Sequence, residues 1–193
     1  MLDRREVVRA LLERRGKLLV VAGLGSSAWD CTAAGDHPLT FPLWGAMGSA
    51  CMIGLGLALA QPRRRVLVVT GDGEMLMGLG SLATIAVQRP RNLAIVVLDN
   101  ERYGETGMQK THTAHGADLA RIALACGFAE AQIIRGKAQL AGVRSGVHGR
   151  QGPLLYQVKV GREPARLVLP PRDGAHLKHR FREALLGAGA ASQ

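Results

Sequence analysis

The stretch Val66-Leu67-Val68-Val69-Thr70-Gly71-Asp72-Gly73-Glu74 decides the fold; it opens a longer segment, VLVVTGDGEMLMGLGSLATIAVQRPRNLAIVVLDNERYGETGMQKTH, that ends at His112. Val66 to Thr70 read as a strand buried on both faces. It breaks at Gly71-Asp72-Gly73. From Glu74 to Gln88 the apolar residues Met75, Leu79, Leu82, Ile85 and Ala86 keep helical spacing, and Pro90 stops the helix just beyond. Leu93 to Leu98 form a second buried strand, ending in Asp99-Asn100. The unit is strand, turn, helix, strand, with a carboxylate after the first strand and a carboxamide after the second.

Neighbouring parallel strands of an open sheet bring their C-terminal ends together, where ligands bind in such folds. Asp72 and Asn100 then converge on one point. Both offer hard oxygen ligands that suit Mg²⁺ or Ca²⁺, and the glycine-bounded turn frees backbone N–H groups for an anion. A metal-bound diphosphate matches both properties, because Mg²⁺ binds through few side chains plus phosphate oxygens and water.

Upstream, Leu43-Trp44-Gly45-Ala46-Met47-Gly48 precedes a helix rich in small residues. With GDG and the later Asp-Asn, this order resembles the thiamine-diphosphate enzymes. The resemblance implies that Asp72, Asn100 and the backbone carbonyl of Arg102 ligate Mg²⁺, with Gly71 and Gly73 bounding the metal turn. It further implies that the Gly45 carbonyl accepts a bond from the aminopyrimidine, and that Met47 wedges the cofactor into its bent shape. A core position is the alternative for Met47. Across nearly the whole chain the similarity is to the decarboxylases of sulfopyruvate and phosphonopyruvate, through GAMGSA, GLGLALAQP, GDGEMLMGLGSLATIA and DNERYGETG.

That family implies conversion of a small anionic 2-oxoacid to an aldehyde and CO₂. Its cofactor lies between a diphosphate-binding and a pyrimidine-binding domain, and the latter carries a glutamate for the pyrimidine ring. This chain has the length for the diphosphate half alone, so a pyrimidine-binding α-type partner of similar size is expected, in a homo- and hetero-oligomer. Another thiamine-diphosphate reaction, such as carboligation or aldehyde transfer, and a non-catalytic cofactor-binding subunit remain as alternatives. The sequence departs from the family pattern at Asp99, where an asparagine is common, and at Glu74, whose carboxylate would repel a diphosphate unless it points away or caps the helix.

In chain order, residues 3–15 read as a helix and Lys17 to Ala22 as a buried strand. The turn Gly23-Leu24-Gly25-Ser26-Ser27 follows; Gly25 and Ser26 either serve the diphosphate or form an ordinary strand-to-helix turn with a serine cap. Trp29 to Trp44, with two prolines, read as a loop holding Asp36 and His37, and Gly45 to Ala60 as a small-residue helix. The loop from Glu101 to His112 is polar, and its Tyr103, Gly104, Glu105 and Thr106 are cofactor-site candidates, as is Glu74 after the metal turn. Glu105 and His112 are the candidate acids and bases, solubility being the plainer role of either. Helices over Asp118–Phe128, Lys137–Val143 and His176–Leu186, with strands over Ala131–Arg135 and Leu154–Val160, complete the alternation. The expected fold is α/β: a doubly wound, mainly parallel sheet with helices on both faces, in one domain over 1–186 followed by a flexible tail over 187–193.

No apolar run is long enough to cross a bilayer, and the opening residues form an amphipathic pattern, so a cytoplasmic location is expected. Cys31, Cys51 and Cys126 lack metal-ligand spacing, which argues against zinc and iron–sulfur centres. The net charge of +10 raises nucleic-acid binding, but the cations are spread over the chain without interleaved aromatics. A gel shift at moderate salt is therefore expected to show no retained nucleic acid.

Overall fold

The computed structural model describes residues 1–163 and 165–189. Its elements are α1 (Arg4–Leu12), β1 (Leu19–Ala22), α2 (Ser26–Ala33), β2 (Thr40–Pro42), α3 (Ala50–Ala60), β3 (Val66–Gly71), α4 (Asp72–Met77) and α5 (Ser81–Gln88). There follow β4 (Leu93–Asp99), β5 (Arg102–Tyr103), β6 (Gln109–Lys110), α6 (Leu119–Cys126), β7 (Glu130–Ile134), α7 (Leu140–Gly149), β8 (Leu154–Lys159) and α8 (Gly174–Leu186).

The main sheet has six strands in the order β2-β1-β3-β4-β8-β7, all parallel. Side chains alternate between its faces, so each strand feeds two cores. Leu19, Val21, Val66, Val68, Leu93, Ile95 and Val97 pack with α3, α5, α6 and α8. Val20, Ala22, Leu67, Val69, Ala94, Val96 and Leu98 pack with α1, α2 and α7. The doubly wound reading of the sequence is thus the observed architecture.

Several local expectations are corrected. The helix expected over Glu74–Gln88 is two helices, α4 and α5, separated at Gly78–Gly80. There the chain passes so close to the backbone of Gly48 that a Cβ on Gly78 would overlap the Gly48 carbonyl. The Trp29–Trp44 stretch is not a loop: its first part completes α2, and Thr40–Pro42 form β2. Pro42 is tolerated because β2 is an edge strand. The helix expected from Gly45 starts only at Ala50, after Ala46 and Gly48 take positive φ values of 56° and 94°. The polar loop from Glu101 contains the small antiparallel hairpin β5–β6, turned through Gly107 at φ 115°. The helix expected over Lys137–Val143 is a 3₁₀ turn, Lys137–Gln139, leading into the longer α7. Of the expected tail, Gly187 to Gly189 follow the last helix and residues 190–193 lie outside the described residues.

After β8 the chain crosses the ligand end of the sheet towards β2, over a segment in which residue 164 lies outside the described residues. Arg162 donates to the Asn100 carbonyl, Arg5 reaches the Arg166 carbonyl, and Trp44 Nε1 donates to the Pro171 carbonyl at 2.7 Å. At the far end Phe181 of α8 meets Phe41 of β2 edge-on, with ring centroids 5.7 Å apart. No helix among the described residues is long and apolar enough to cross a membrane.

Two glycines of α3 test the packing. A Cβ on Gly54 would overlap Val68 Cγ2, held in the centre of β3, whereas Gly56 has open space around it. Urea denaturation is expected to show Gly54→Ala destabilised by about 1–3 kcal/mol from overpacking. Gly56→Ala is expected to gain up to about 1 kcal/mol from helix propensity.

Candidate functional site

β3 and β4 pair in register with Gly71 opposite Leu98, so Asp72 and the Asp99-Asn100 pair leave the sheet side by side. A cleft of about 640 Å³ opens there, lined among others by Ser26, Met47, Asp72, Asn100, Tyr103 and Glu105. Gly71, Gly73, Glu74, Arg102, Gly104 and Thr106 also reach it. The sequence therefore brings most of its expected site residues to one place.

Asp72 is 1% exposed. Its Oδ2 accepts a hydrogen bond from Thr111 Oγ1 at 2.5 Å, and Thr113 Oγ1 lies 3.2 Å from the same oxygen. Both fall on the same oxygen, so Oδ1 is the one offered to a cation. Burial pushes the Asp72 carboxyl up to about 6; the Thr111 hydroxyl opposes that shift and the nearby Asp99 charge adds to it. Asn100 Oδ1 accepts from Arg102 N–H at 2.9 Å, a turn that keeps this side chain and the Arg102 backbone together. The Arg102 guanidinium folds back onto the Glu101 carbonyl at 2.8 Å.

An anion has a place beside these oxygens. α2 begins at Ser26 with no side-chain cap, leaving its first backbone N–H groups available. Glu105 carries its own carboxylate over this turn: a Cβ on Gly25 would lie 2.6 Å from Glu105 Oε1. Gly25 is for that reason covered and does not itself line the cleft. Met47 lies against Gly73 and Tyr103, where a Cβ on Gly73 would stand 3.8 Å from Met47 Cε and 2.7 Å from the tyrosine ring. It lines the cleft rather than the core, while Gly45 sits exposed on the rim two residues away.

The carboxylate of Glu74 turns inward. Its Oε2 accepts from Thr70 Oγ1 at 2.8 Å and lies where any side chain on Gly23 would have to go. Burial raises its proton affinity, and the backbone N–H groups of Gly48, Ala50 and Leu24 pull the other way. Ala50 is the first residue of α3, so the acid expected to repel a diphosphate faces a helix N-terminus instead.

His112 departs from expectation. Thr111 and Thr113 both point inward to Asp72, which sends the side chain between them outward, and His112 is exposed away from the cleft lining. Asp36 and His37 are also remote: Asp36 pairs with Arg180 at 2.6 Å, and His37 Nδ1 accepts from Leu39 N–H at 3.0 Å. Sequence reasoning missed Thr111 and Thr113, although their alternation is a strand-like signal, and missed Arg4 and Arg162 on the cleft wall.

The residues fit a Mg-diphosphate group: one carboxylate oxygen, one carboxamide, a nearby carbonyl, and an uncapped helix start opposite. Comparison with known proteins agrees. Residues 25–158 match the family described as thiamine pyrophosphate enzyme, C-terminal TPP binding domain. The chain is 37% identical over 188 residues to sulfopyruvate decarboxylase subunit beta of Methanothermobacter thermautotrophicus, covering 97% of this chain and 98% of that one. Against the same subunit from Methanocaldococcus jannaschii it is 41% identical over 124 residues, or 64% of this chain and 65% of the relative. Phosphonopyruvate decarboxylase of Streptomyces hygroscopicus is 36% identical over 176 residues, 91% of this chain but 43% of the relative. The fold matches benzoylformate decarboxylase from Polynucleobacter necessarius with a TM-score of 0.70 at 19% identity, over 86% of this chain and 34% of that one. The chain belongs to the thiamine pyrophosphate enzymes, as a C-terminal-type TPP-binding domain.

Proposed function

We propose that this chain is the β-type subunit of a thiamine-diphosphate-dependent 2-oxoacid decarboxylase. Its substrate would be a small 2-oxoacid with a second anionic group, of the sulfopyruvate or phosphonopyruvate kind, and its products an aldehyde and CO₂. The names and coverage of its relatives support this reading. The observation that carries it is the meeting of Asp72, Asn100 and the uncapped start of α2 in one cleft.

In this reading Asp72 Oδ1, the Asn100 carboxamide oxygen and the Arg102 carbonyl hold Mg²⁺, and the turn at Gly25 and Ser26 receives the diphosphate. Gly71 and Gly73 keep the metal turn open, and Tyr103, Gly104 and Thr106 wall it from the hairpin side. Gly45 and Met47 receive the pyrimidine and the bend of the cofactor. Thiamine diphosphate, when bound, supplies the electron sink that lets a 2-oxoacid lose CO₂. Glu105, whose carboxylate lies over the turn at Gly25, would hold or deliver a proton at the cleft mouth. The hairpin that carries it, hinged at Gly104 and Gly107, excludes water from the cleft. Arg4 and Arg162 also stand on the wall, each in an ion pair, with Asp30 and Glu101 respectively. The pyrimidine-binding surface and its glutamate belong to a partner chain, so the complete site lies at an interface.

Calorimetric titration of thiamine diphosphate with Mg²⁺ into this chain, alone and with a pyrimidine-binding partner, tests the reading. Binding is expected to appear or tighten with the partner and to vanish in Asp72→Ala; a folded complex that binds nothing refutes it. Aldehyde release from sulfopyruvate supports decarboxylation, whereas binding without turnover of any 2-oxoacid indicates a non-catalytic subunit.

A pH dependence follows from Asp72. Its carboxyl is raised in the folded, metal-free chain from 3.8 to about 6, so the native state binds more protons than the unfolded one between those values. That contribution to stability is present below the unfolded value and is lost as pH rises through about 6. Asp72→Asn is expected to flatten this slope in urea melts of the metal-free protein. In the wild type, Mg²⁺ affinity is expected to fall as pH drops below about 6, because the ligand must be deprotonated.

A further inference from the structure

Asp99, next to Asn100, is a second fully buried carboxylate in this corner. Four donors converge on it: Thr113 Oγ1 at 2.8 Å and Glu101 N–H at 3.1 Å on Oδ1, Gln157 Nε2 at 2.6 Å and Lys159 Nζ at 2.7 Å on Oδ2. Only a carboxylate accepts on both sides; an asparagine would turn its NH₂ onto one of these donor pairs. Gln157 cannot compensate by rotating its amide, because its Oε1 already accepts from Leu119 N–H at 3.0 Å and Ala120 N–H at 3.3 Å.

The same threonine reaches the metal side chain. Thr113 Oγ1 lies 3.2 Å from Asp72 Oδ2 and 2.9 Å from Thr111 Oγ1, which itself donates to Asp72 at 2.5 Å. Two carboxylates from adjacent strands therefore meet over two adjacent hydroxyls, Thr111 giving its proton to Asp72 and Thr113 giving its proton to Asp99, with the hydroxyl oxygens 2.9 Å apart. Lys159 extends the arrangement to Glu101 Oε1 at 3.1 Å, and Arg162 reaches Glu101 Oε2 at 2.8 Å. Glu101 holds a left-handed backbone, φ 63°, between Asn100 and Arg102.

We propose that Asp99, held by Lys159 and Gln157 and linked to Asp72 through the adjacent Thr113 and Thr111 hydroxyls, is a positioning residue that sets the metal-binding groups in register. The inference rests on the cofactor reading above. Mg²⁺ demands near-ideal octahedral geometry, so a ligand free to rotate binds it less well, and outer partners that orient ligands carry a large share of metal affinity. Asp99 anchors Thr113 against Thr111, the hydroxyl that donates to Asp72, and fixes the start of the Asn100–Arg102 turn through the Glu101 amide. The carboxylate at position 99 is then matched to Lys159 and Gln157 on β8.

The test compares Thr113→Val, which removes the hydroxyl at nearly constant size, with Thr113→Ser, which keeps it. Asp99→Asn and the double variant Asp99→Asn/Thr113→Val complete the set. Mg²⁺ affinity is read by calorimetry at saturating thiamine diphosphate in the complex with the pyrimidine-binding partner. Thr113→Val and Asp99→Asn are each expected to weaken it about tenfold, with Thr113→Ser as the wild type. The double variant is expected to be no weaker than the worse single, because both changes cut the same link. Wild-type affinity in Thr113→Val, or fully additive losses in the double, overturns the proposal. Hydrogen exchange on the ligand-free chain gives a second readout. The amides of Glu101 and Thr111, bonded to Asp99 Oδ1 and the Glu101 carbonyl, are expected to exchange faster in Thr113→Val and Asp99→Asn but not in Thr113→Ser. Unchanged exchange refutes the positioning role whether or not cofactor binds. A wild type that binds no Mg-thiamine diphosphate, while the exchange pattern holds, refutes the cofactor reading alone.

Discussion

The pairing of β3 with β4 is the constraint on which the rest depends. Both strands are buried on both faces by their aliphatic side chains, and a slip of one residue would exchange every one of those side chains between the two cores. The register is accordingly strict, and it places Gly71 opposite Leu98. Chemistry then follows from packing: the first polar residues after each strand emerge together, Asp72 from one and Asn100 from the other. A site assembled in this way needs no long loops to bring its oxygens together.

Close backbone approach is the second device. Gly23 leaves room for the Glu74 carboxylate, Gly73 for the Tyr103 ring, and Gly78 for the passing carbonyl of Gly48. Each contact draws one ligand loop against another, so the turn after β1, the Met47 loop, the metal turn and the β5–β6 hairpin meet around a common centre. Glu74 shows how context changes the meaning of a residue. In the sequence it is a misplaced negative charge beside an anion; in the structure it faces the start of α3 and binds Thr70.

Much of this was legible in the chain itself. Buried strands read as aliphatic runs because parallel sheets covered on both faces give no polar alternation, and Asp72 and Asn100 sit at their ends. What could not be read depends on partners distant in sequence. The end of α2 falls in a stretch, Trp29 to Trp44, whose weak periodicity and two prolines read as loop; its Asp30 is buried against Arg4 and Arg5 of α1, at 3.0 and 3.1 Å. The interruption between α4 and α5 is dictated by Gly48, on another segment, and not by its own helical spacing. Asp99 read as a departure from a family pattern, and its explanation lies on β8, in Lys159 and Gln157. His112 was drawn in by its chemistry alone, whereas the inward pair Thr111 and Thr113 settles its direction.

The crossing from β8 back to β2 bears on how the chain acquires its form. Arg180 of α8 pairs with Asp36 across 144 residues, and Trp44 bonds the Pro171 carbonyl across 127. Contacts of such separation are rewarded only after the entropy of closing the intervening chain has been met. The near edge of the sheet and the wall beside the cleft thus carry a larger closure cost than the β3–β4 centre, whose paired residues, with Asp72 and Asn100 just beyond them, lie close together in the chain.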